Sequence, residues 1–304
     1  MKEEKENNVF YYSDELNDDF ASSDITPDKI DENYKYIHKN IFWNFFSIVL
    51  YRIFPTFFYI HAKIKYRVKV ENKKVIKDYY KKLKNSNAIS KKDMKRKKGY
   101  FLYLNHTQEI MDTFFPTLIT FPRRAYLIAN AKNVSMSGMR TLNQMLGAIP
   151  IPNSGLRAMA KFEKAVEHYS NKGNVIAIYP EAHVWPYYTK IRNFKSVSFE
   201  YPYKLDKVVF TATITYQKKC KKNDSKNKKP KFKIVIYIDG PFFTDKTLNK
   251  KDAKEKLRNE VYNVMNGRSK NNNIEIRKYE KITDKGKSQE DWKTKIFSKN
   301  KTIR

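Results

Sequence analysis

The chain has 304 residues, 40% of them hydrophobic and 15% aromatic, which is enough to bury a large core and excludes a disordered protein. Its net charge is +30, and since residues 1–36 carry −7, the rest of the chain carries +37. Such a basic body attracts polyanions, so nucleic acid, an anionic membrane, coenzyme A and acidic carrier proteins are candidate partners. The single cysteine, Cys220, excludes a disulfide framework and favours a reducing interior.

The first 69 residues divide into two segments. Residues 1–36 are acidic and polar, without the basic start and apolar stretch of a signal peptide, so we predict a flexible lead-in and no secretion. Residues 37–69 contain the aromatic run IFWNFFSIVLYRIFPTFFYIHAKI at 41–64, which is about long enough to cross a bilayer.

Arg52 and Pro55 argue against a membrane span. An arginine at the bilayer centre costs about 2.5–3.5 kcal/mol, and a proline breaks a helix. We therefore predict two short helices that lie in the membrane interface and separate near Thr56, flanked by lysines and an arginine. A hairpin buried on the core is the alternative.

Residues 70–267 have the pattern of an α/β domain. After a polar connection at 70–98, apolar runs alternate with helical stretches at 108–120, 137–146 and 155–171, and a helix is predicted at Lys250–Asn266. The predicted strands are GYFLYLN, RRAYLIAN, GNVIAIYP, KVVFTATITYQ and KFKIVIYIDGPF. We predict a mixed α/β fold with a largely parallel central sheet flanked by helices, and an N-terminal aromatic membrane-docking segment. The last two strands flank a lysine loop at 217–231 and are expected to pair antiparallel. Residues 268–304 form a basic tail.

The stretch FLYLNHTQEIMD, residues 101–112, places polar side chains where the first of these strands ends. Strand ends of this kind open into the crevices of α/β sheets. His106 and Asp112 cannot meet on one continuous helix, but they can meet if His106 lies in the preceding turn. A carboxylate on one imidazole nitrogen leaves the other nitrogen as a base near neutral pH. An ordinary polar cap and Glu109 as the partner stay open, whereas a metal site of His106, Glu109 and Asp112 lacks a second ligand cluster.

Two further stretches follow residues 101–112 along the chain. MLGAIPIP, residues 145–152, predicts a short extended piece that enters a loop. IAIYPEAHVWPYYTKIRNFK, residues 176–195, predicts a strand that releases charged side chains at its end: Glu181, His183, Lys190 and Arg192. These groups would converge on the same edge of the sheet as His106, although a solvated loop could also hold them.

The three stretches, in this order and separation, resemble the glycerolipid and lysophospholipid acyltransferases related to 1-acylglycerol-phosphate acyltransferase. The family has Asn-His, four residues, then Asp; next Gly-x-Ile-x-Ile-x-Arg; and last Pro-Glu-Gly-Thr-Arg followed by Phe-Lys. Here the matching residues are Asn105, His106 and Asp112, the GAIPIP stretch, and Pro180, Glu181, Phe194 and Lys195. Asp112 comes one residue later than in the family. The GAIPIP stretch has no arginine directly after it and Val184 stands in place of another, so both of the family's arginines that hold the acceptor's phosphate are missing.

The resemblance implies acyl transfer from acyl-CoA or acyl carrier protein to a hydroxyl of a lysolipid, with no cofactor and no metal. It implies His106 as general base steadied by Asp112, and substrate contacts from Asn105, Glu109, Glu181, His183, Lys190 and Arg192. The expected partners are an anionic membrane surface, the acyl donor and the lysolipid acceptor, at the cytoplasmic face of the cell membrane, with peripheral or monotopic attachment. A basic nucleic-acid-binding protein is the alternative from charge, although no sequence-specific nucleic-acid motif is visible. A relative of the family that binds lipid without catalysing acyl transfer is the second alternative.

Overall fold

The computed structural model describes residues 9–20, 26–85, 90–135, 138–219 and 232–282. The strands in this part of the chain are β1 (Val9–Tyr12), β2 (Lys69–Glu71), β3 (Tyr100–Leu104), β4 (Ala125–Ala129), β5 (Ala148–Pro150), β6 (Val175–Ile178), β7 (Val209–Lys218), β8 (Phe232–Phe242) and β9 (Lys278–Lys281). The α-helices are α1 (Ile41–Tyr66), α2 (Lys74–Asn85), α3 (Lys91–Lys97), α4 (Phe115–Thr120), α5 (Ala131–Val134), α6 (Arg140–Leu146), α7 (Leu156–Asn171), α8 (Glu200–Leu205) and α9 (Lys250–Ser269). Two 3₁₀ turns lie at Met111–Thr113 and Val197–Phe199.

Seven strands form the central sheet, in the order β2-β8-β7-β3-β6-β4-β5. The strands from β7 to β5 in this order are mutually parallel, whereas β8 runs antiparallel to β7 and carries β2 parallel to itself. This arrangement confirms the predicted mixed, largely parallel sheet and the antiparallel pairing of its last two long strands. Because β3 lies between β6 and β7 and all three are parallel, the carboxyl ends of these strands lie side by side at one edge of the sheet.

Alternation along the buried strand β3 divides its side chains between two cores. Phe101 and Tyr103 point to one face, where they pack with residues of α7 and α9 such as Phe162 and Leu257. On the other face, Tyr100, Leu102 and Leu104 pack with residues of α4 and α1, including Phe115, Ile119 and Ala62. All five residues of β3 are buried, so helices cover the sheet on both faces at its centre.

The aromatic segment forms one helix, α1, rather than the two predicted short helices. Pro55 lies inside α1 and is buried, and the Thr56 hydroxyl donates to the backbone oxygen of Arg52 at 2.6 Å. The buried residues of α1 form one narrow stripe: Ser47, Tyr51, Pro55 and Ala62. A proline in a helix costs about 3 kcal/mol, and packing of this stripe against the body offsets that cost. The alternative of a buried hairpin is also wrong, because only 17% of the most apolar window of α1 is buried.

Both terminal segments contact the body of the protein. β1 pairs in parallel with β9, with Val9 opposite Lys278. Phe20 packs edge-on against Trp185, and Tyr12 also contacts the Trp185 ring. The predicted flexible lead-in is therefore packed where the structure describes it: residues 9–20 lie against the loop that follows β6, and Ile30, Tyr34 and Tyr36 are buried in the core with Phe162 of α7. Cys220, most of the lysine loop, and residues 283–304 lie outside the described residues.

Candidate active site

His106 and Asp112 meet at the carboxyl end of β3. His106 Nδ1 and Asp112 Oδ2 are 2.7 Å apart. His106 lies in the turn after β3, and Asp112 lies in the 3₁₀ turn Met111–Thr113. The two residues therefore do not share one continuous helix, which is the condition that their six-residue spacing set for a contact. The same carboxylate oxygen accepts from the backbone N–H groups of Thr107 and Gln108, each at 2.8 Å. The turn thus wraps around one carboxylate, with Thr107 as one of its backbone donors.

The Asp112 carboxylate is 1% exposed. Burial raises its pKa above the ordinary value, and the hydrogen bond with His106 opposes this shift, as do those from the two backbone amides. Since Asp112 receives three donors on one oxygen, the tautomer with the proton on Nδ1 is the one that the contact favours. The Nε2 atom of His106 is then the basic nitrogen.

The Nε2 side of the imidazole bonds to no other described residue. The side chain of His106 is 13% exposed, so the ring is reachable at its edge. Tyr179, just after β6, stacks on the imidazole with ring centroids 4.3 Å apart, and its hydroxyl donates to the backbone oxygen of Asp112 at 2.6 Å. Tyr179 therefore fixes the ring plane. Sequence reasoning missed this residue, although its position directly before Pro180 and Glu181 was a usable signal.

Glu181 lies next to His106, as predicted from the convergence of strand ends. Its Oε2 accepts from the backbone N–H of His106 at 3.0 Å and from Arg192 Nη2 at 3.3 Å, and its Oε1 accepts from the backbone N–H of Arg192 at 3.0 Å. The Arg192 side chain is 0% exposed, it donates also to the backbone oxygen of His183, and it lies over the Trp185 ring at 4.9 Å. Burial raises the pKa of Glu181, and the charge of Arg192 opposes the shift.

These contacts give Glu181, Arg192 and Asn105 structural roles. Glu181 and Arg192 are buried and bond to each other inside the protein. Asn105 is also buried, where its side chain donates to the backbone oxygen of Ile214 at 3.1 Å and accepts from the backbone N–H of Ile214 at 2.7 Å. All three residues hold the loops around His106 in place, and their expected contacts with substrate stay a prediction.

The remaining predicted substrate contacts lie further out. Glu109 and Lys190 are exposed. His183 is half-buried, with its Nδ1 3.4 Å from Asp19 Oδ2 of the N-terminal segment. Among the described residues no group of three His, Cys, Asp or Glu side chains could hold a metal ion, so the metal alternative for His106, Glu109 and Asp112 has no support in the geometry.

Several residues that support the turn were not singled out from the sequence. The hydroxyl of buried Tyr216, on β7, bonds with the Thr107 hydroxyl, and it accepts from Gln108 Nε2 at 2.8 Å. The loop after β6 is tied to the turn by backbone bonds, from Trp185 N–H to His106 O at 3.2 Å and from Tyr187 N–H to Thr107 O at 2.8 Å. No local pattern marks a residue on β7 as a support for a turn after β3.

The structure also gives the backbone conformation of Ala182, in the stretch of residues 176–195. Ala182, where the resembling family has glycine, has φ of +64°. This left-handed conformation is one that glycine adopts freely and that costs an alanine about 1 kcal/mol or more.

Three comparisons place the chain among known proteins. The model of the Acyltransferase family matches residues 67–215. No curated protein matches the chain significantly. The solved structure of the 1-acyl-sn-glycerophosphate (LPA) acyltransferase PlsC from Thermotoga maritima is similar at 15% identity and a TM-score of 0.38, over 74% of this chain and 92% of that one. A likeness this distant says nothing about residue roles or substrates. The region that the Acyltransferase model matches, residues 67–215, holds His106, Asp112 and Glu181.

Proposed function

We propose that the protein moves a fatty acyl group from an acyl thioester, acyl-CoA or acyl carrier protein, to a hydroxyl of a lysophospholipid or related glycerolipid. The observation that supports this most is the 2.7 Å contact between His106 and Asp112 at an accessible imidazole edge, inside an acyltransferase-family domain. In this proposal His106 is the general base, and the protein needs no cofactor beyond its acyl donor.

The proposed reaction has two proton transfers. Nε2 of His106 takes the proton of the acceptor hydroxyl while that oxygen attacks the thioester carbonyl. The carbon–sulfur bond then breaks, an ester forms, and the leaving thiolate takes the proton back from the imidazolium. Asp112 stabilises the imidazolium that exists between these steps, and Tyr179 keeps the ring in the plane that the transfer needs. General base catalysis of this kind contributes about 10²- to 10⁴-fold in rate.

The proposed location is the cytoplasmic face of the cell membrane, with α1 as the attachment. Within the described chain, α1 is the one helix long and apolar enough to cross a membrane. Its exposed apolar side chains are between 44% and 81% accessible: Ile41, Phe42, Phe45, Phe46, Ile48, Ile53, Phe57, Tyr59, Ile60 and Ile64. An apolar face of this size beside lysines suits burial in a lipid interface with anionic headgroups.

The test is acyl transfer by a His106→Ala variant, measured with a labelled acyl thioester and a panel of lysolipids in vesicles. We expect turnover to fall by about 10²-fold or more, and Asp112→Asn to give a smaller loss in the same direction. His168→Ala is the matched control, because His168 lies on α7, away from the turn that holds Asp112. A folded His106→Ala protein that keeps its turnover would refute the role of His106 as base.

A further inference from the structure

Arg277, in the segment between α9 and β9, is held between two aromatic rings. Its Cζ lies 4.9 Å from the ring centroid of Phe10 and 5.2 Å from that of Tyr187. The side chain is half-buried. Two flanking rings restrict the rotamers of an arginine and leave the edges of its guanidinium free to donate. Arg277 lies outside the region that the family model matches.

Other arginines are flanked by two rings in the same way, but their donors are occupied. Arg123 donates to the backbone oxygen of Lys98, Arg124 to that of Met145, and Arg258 to that of Phe194. Arg277 makes no ion pair and donates to no carbonyl oxygen within the described part of the chain. Its polar neighbours include the hydroxyls of Tyr187 and Tyr279, and the Tyr279 hydroxyl is within hydrogen-bonding reach. A guanidinium that is positioned in advance and lacks an anionic partner is suited to bind one from outside.

The position of Arg277 connects it to the catalytic turn. It packs on Tyr187, whose backbone N–H donates to Thr107 O at 2.8 Å, next to His106. The neighbouring Tyr279 hydroxyl donates to Pro186 O at 2.8 Å. Residues 185–187 thus separate Arg277 from the turn by one layer of chain. The charge of exposed Glu109 helps to raise the pKa of both Tyr187 and Tyr279, so this carboxylate lies nearby. It forms no ion pair with Arg277.

We infer that Arg277 binds the phosphate group of a substrate at the rim of the active site. This inference rests on the proposed acyl transfer and adds the substrate class that the site takes. A planar guanidinium donates two parallel hydrogen bonds to phosphate oxygens, which a lysine cannot do. The phosphate can come from the headgroup of the acceptor or from the coenzyme A part of the donor, and the two sources share this chemistry.

The experiment uses full-length protein in vesicles with Arg277→Gln and Arg277→Lys variants. Arg96→Gln is the control, because it removes the same charge just before β3, at the opposite edge of the sheet. Each protein is assayed with a phosphate-bearing acceptor, 1-acylglycerol 3-phosphate, and a neutral one, monoacylglycerol. Each acceptor is combined with acyl-CoA and with a phosphate-free acyl thioester.

We expect Arg277→Gln to raise the KM of the phosphate-bearing substrate by about ten- to hundredfold while kcat stays nearly constant, with partial recovery in Arg277→Lys. A rise for 1-acylglycerol 3-phosphate but not for monoacylglycerol assigns the acceptor. A rise for acyl-CoA but not for the phosphate-free thioester assigns the donor. An unchanged KM, or an equal loss for all four substrate pairs, overturns the inference.

A separate readout keeps the inference distinct from the proposed reaction. If the wild-type protein turns over none of the substrate pairs, the proposed function fails. Equilibrium binding of labelled 1-acylglycerol 3-phosphate and of acyl-CoA then decides on Arg277. Tighter binding of either ligand to wild type than to Arg277→Gln supports the phosphate site, and equal binding of both overturns it.

Discussion

Phe58 of α1 stacks on Phe114, with ring centroids 3.6 Å apart and ring planes 10° apart. Phe114 follows directly on the 3₁₀ turn Met111–Thr113, which carries Asp112. The helix with the exposed apolar face is thus packed against a residue two positions after Asp112, the partner of His106. Under the proposed function, a membrane that takes up this face would hold the turn with His106 at its surface, where the lysolipid acceptor is located.

Replacing Phe58 with Ala should lower the free energy of unfolding by about 1–3 kcal/mol, because a half-buried ring and a stacked pair are lost. Phe57→Ala is the matched control, since Phe57 is 69% exposed and does not stack on Phe114. We expect a change within about 0.5 kcal/mol for Phe57→Ala. Denaturant unfolding of both variants measures the difference, and equal losses would mean that the stacked pair contributes nothing specific.

Membrane attachment should depend on the exposed aromatics of α1. Changing Phe42, Phe45, Phe46 and Phe57 to Ser should abolish flotation with anionic liposomes, because the apolar area buried in the interface is lost. Val197→Ser is the control, as Val197 is 67% exposed on the 3₁₀ turn before α8. Full flotation of the Ser variant in moderate salt would show that the basic surface alone attaches the protein.

Removing Arg192 should destabilise the protein by about 3–5 kcal/mol, since Arg192→Met leaves the Glu181 charge buried without its partner. Lys256→Met is the control, because the Lys256–Asp245 pair, at 2.8 Å, is partly exposed and its loss should cost less than about 1 kcal/mol. Thermal unfolding at matched pH measures both.

The deficit of Arg192→Met should depend on pH. Burial raises the pKa of Glu181, and loss of the Arg192 charge raises it further. A carboxyl whose pKa is higher in the folded state binds more protons folded than unfolded, so its contribution to stability is lost as pH rises through the folded pKa. The deficit relative to wild type should therefore be larger at pH 7 and shrink toward pH 5. A constant deficit over this range contradicts the assignment.

Ala182→Gly should stabilise the protein by about 1 kcal/mol or leave its stability unchanged, because glycine adopts the observed φ of +64° without strain. Ala160→Gly is the control of opposite sign: Ala160 is exposed on α7, where glycine should cost about 1 kcal/mol. Melting temperatures of the two variants test the prediction, and activity should persist in both. A loss of stability in Ala182→Gly would show that the alanine methyl group has a packing role.

Much of the fold follows from periodicity in the sequence. The buried runs that became β3, β4, β6, β7 and β8 were predicted as strands, and the helical stretches between and after them became α4, α6, α7 and α9 with shifted ends. Short elements were missed, since β1, β2 and β9 have only three or four residues and show too little alternation. The helix break at Pro55 was wrong because packing on the body outweighed a local preference.

The site was predictable only in part. The meeting of His106, Asp112 and Glu181 followed from strand ends at one edge of the sheet. The sequence does not show which polar side chains are buried and hydrogen-bonded within the protein itself. Arg192 and Trp185 are covered by residues 10–20, and the Trp185 indole donates to Asp18 O at 2.8 Å, a contact between positions 167 residues apart. Local sequence carries no sign of such a cover.

The pairing of β1 with β9 has a consequence for how the protein assembles during synthesis. Val9 finds its neighbour only when Lys278 has left the ribosome. Until then Phe10 and Phe20 lack the Tyr279 ring on which they pack, and Arg277 is not yet made. Contacts of such large sequence separation form late. The nascent chain would therefore complete its sheet and the His106 turn first, and residues 9–20 would pack on Trp185 last.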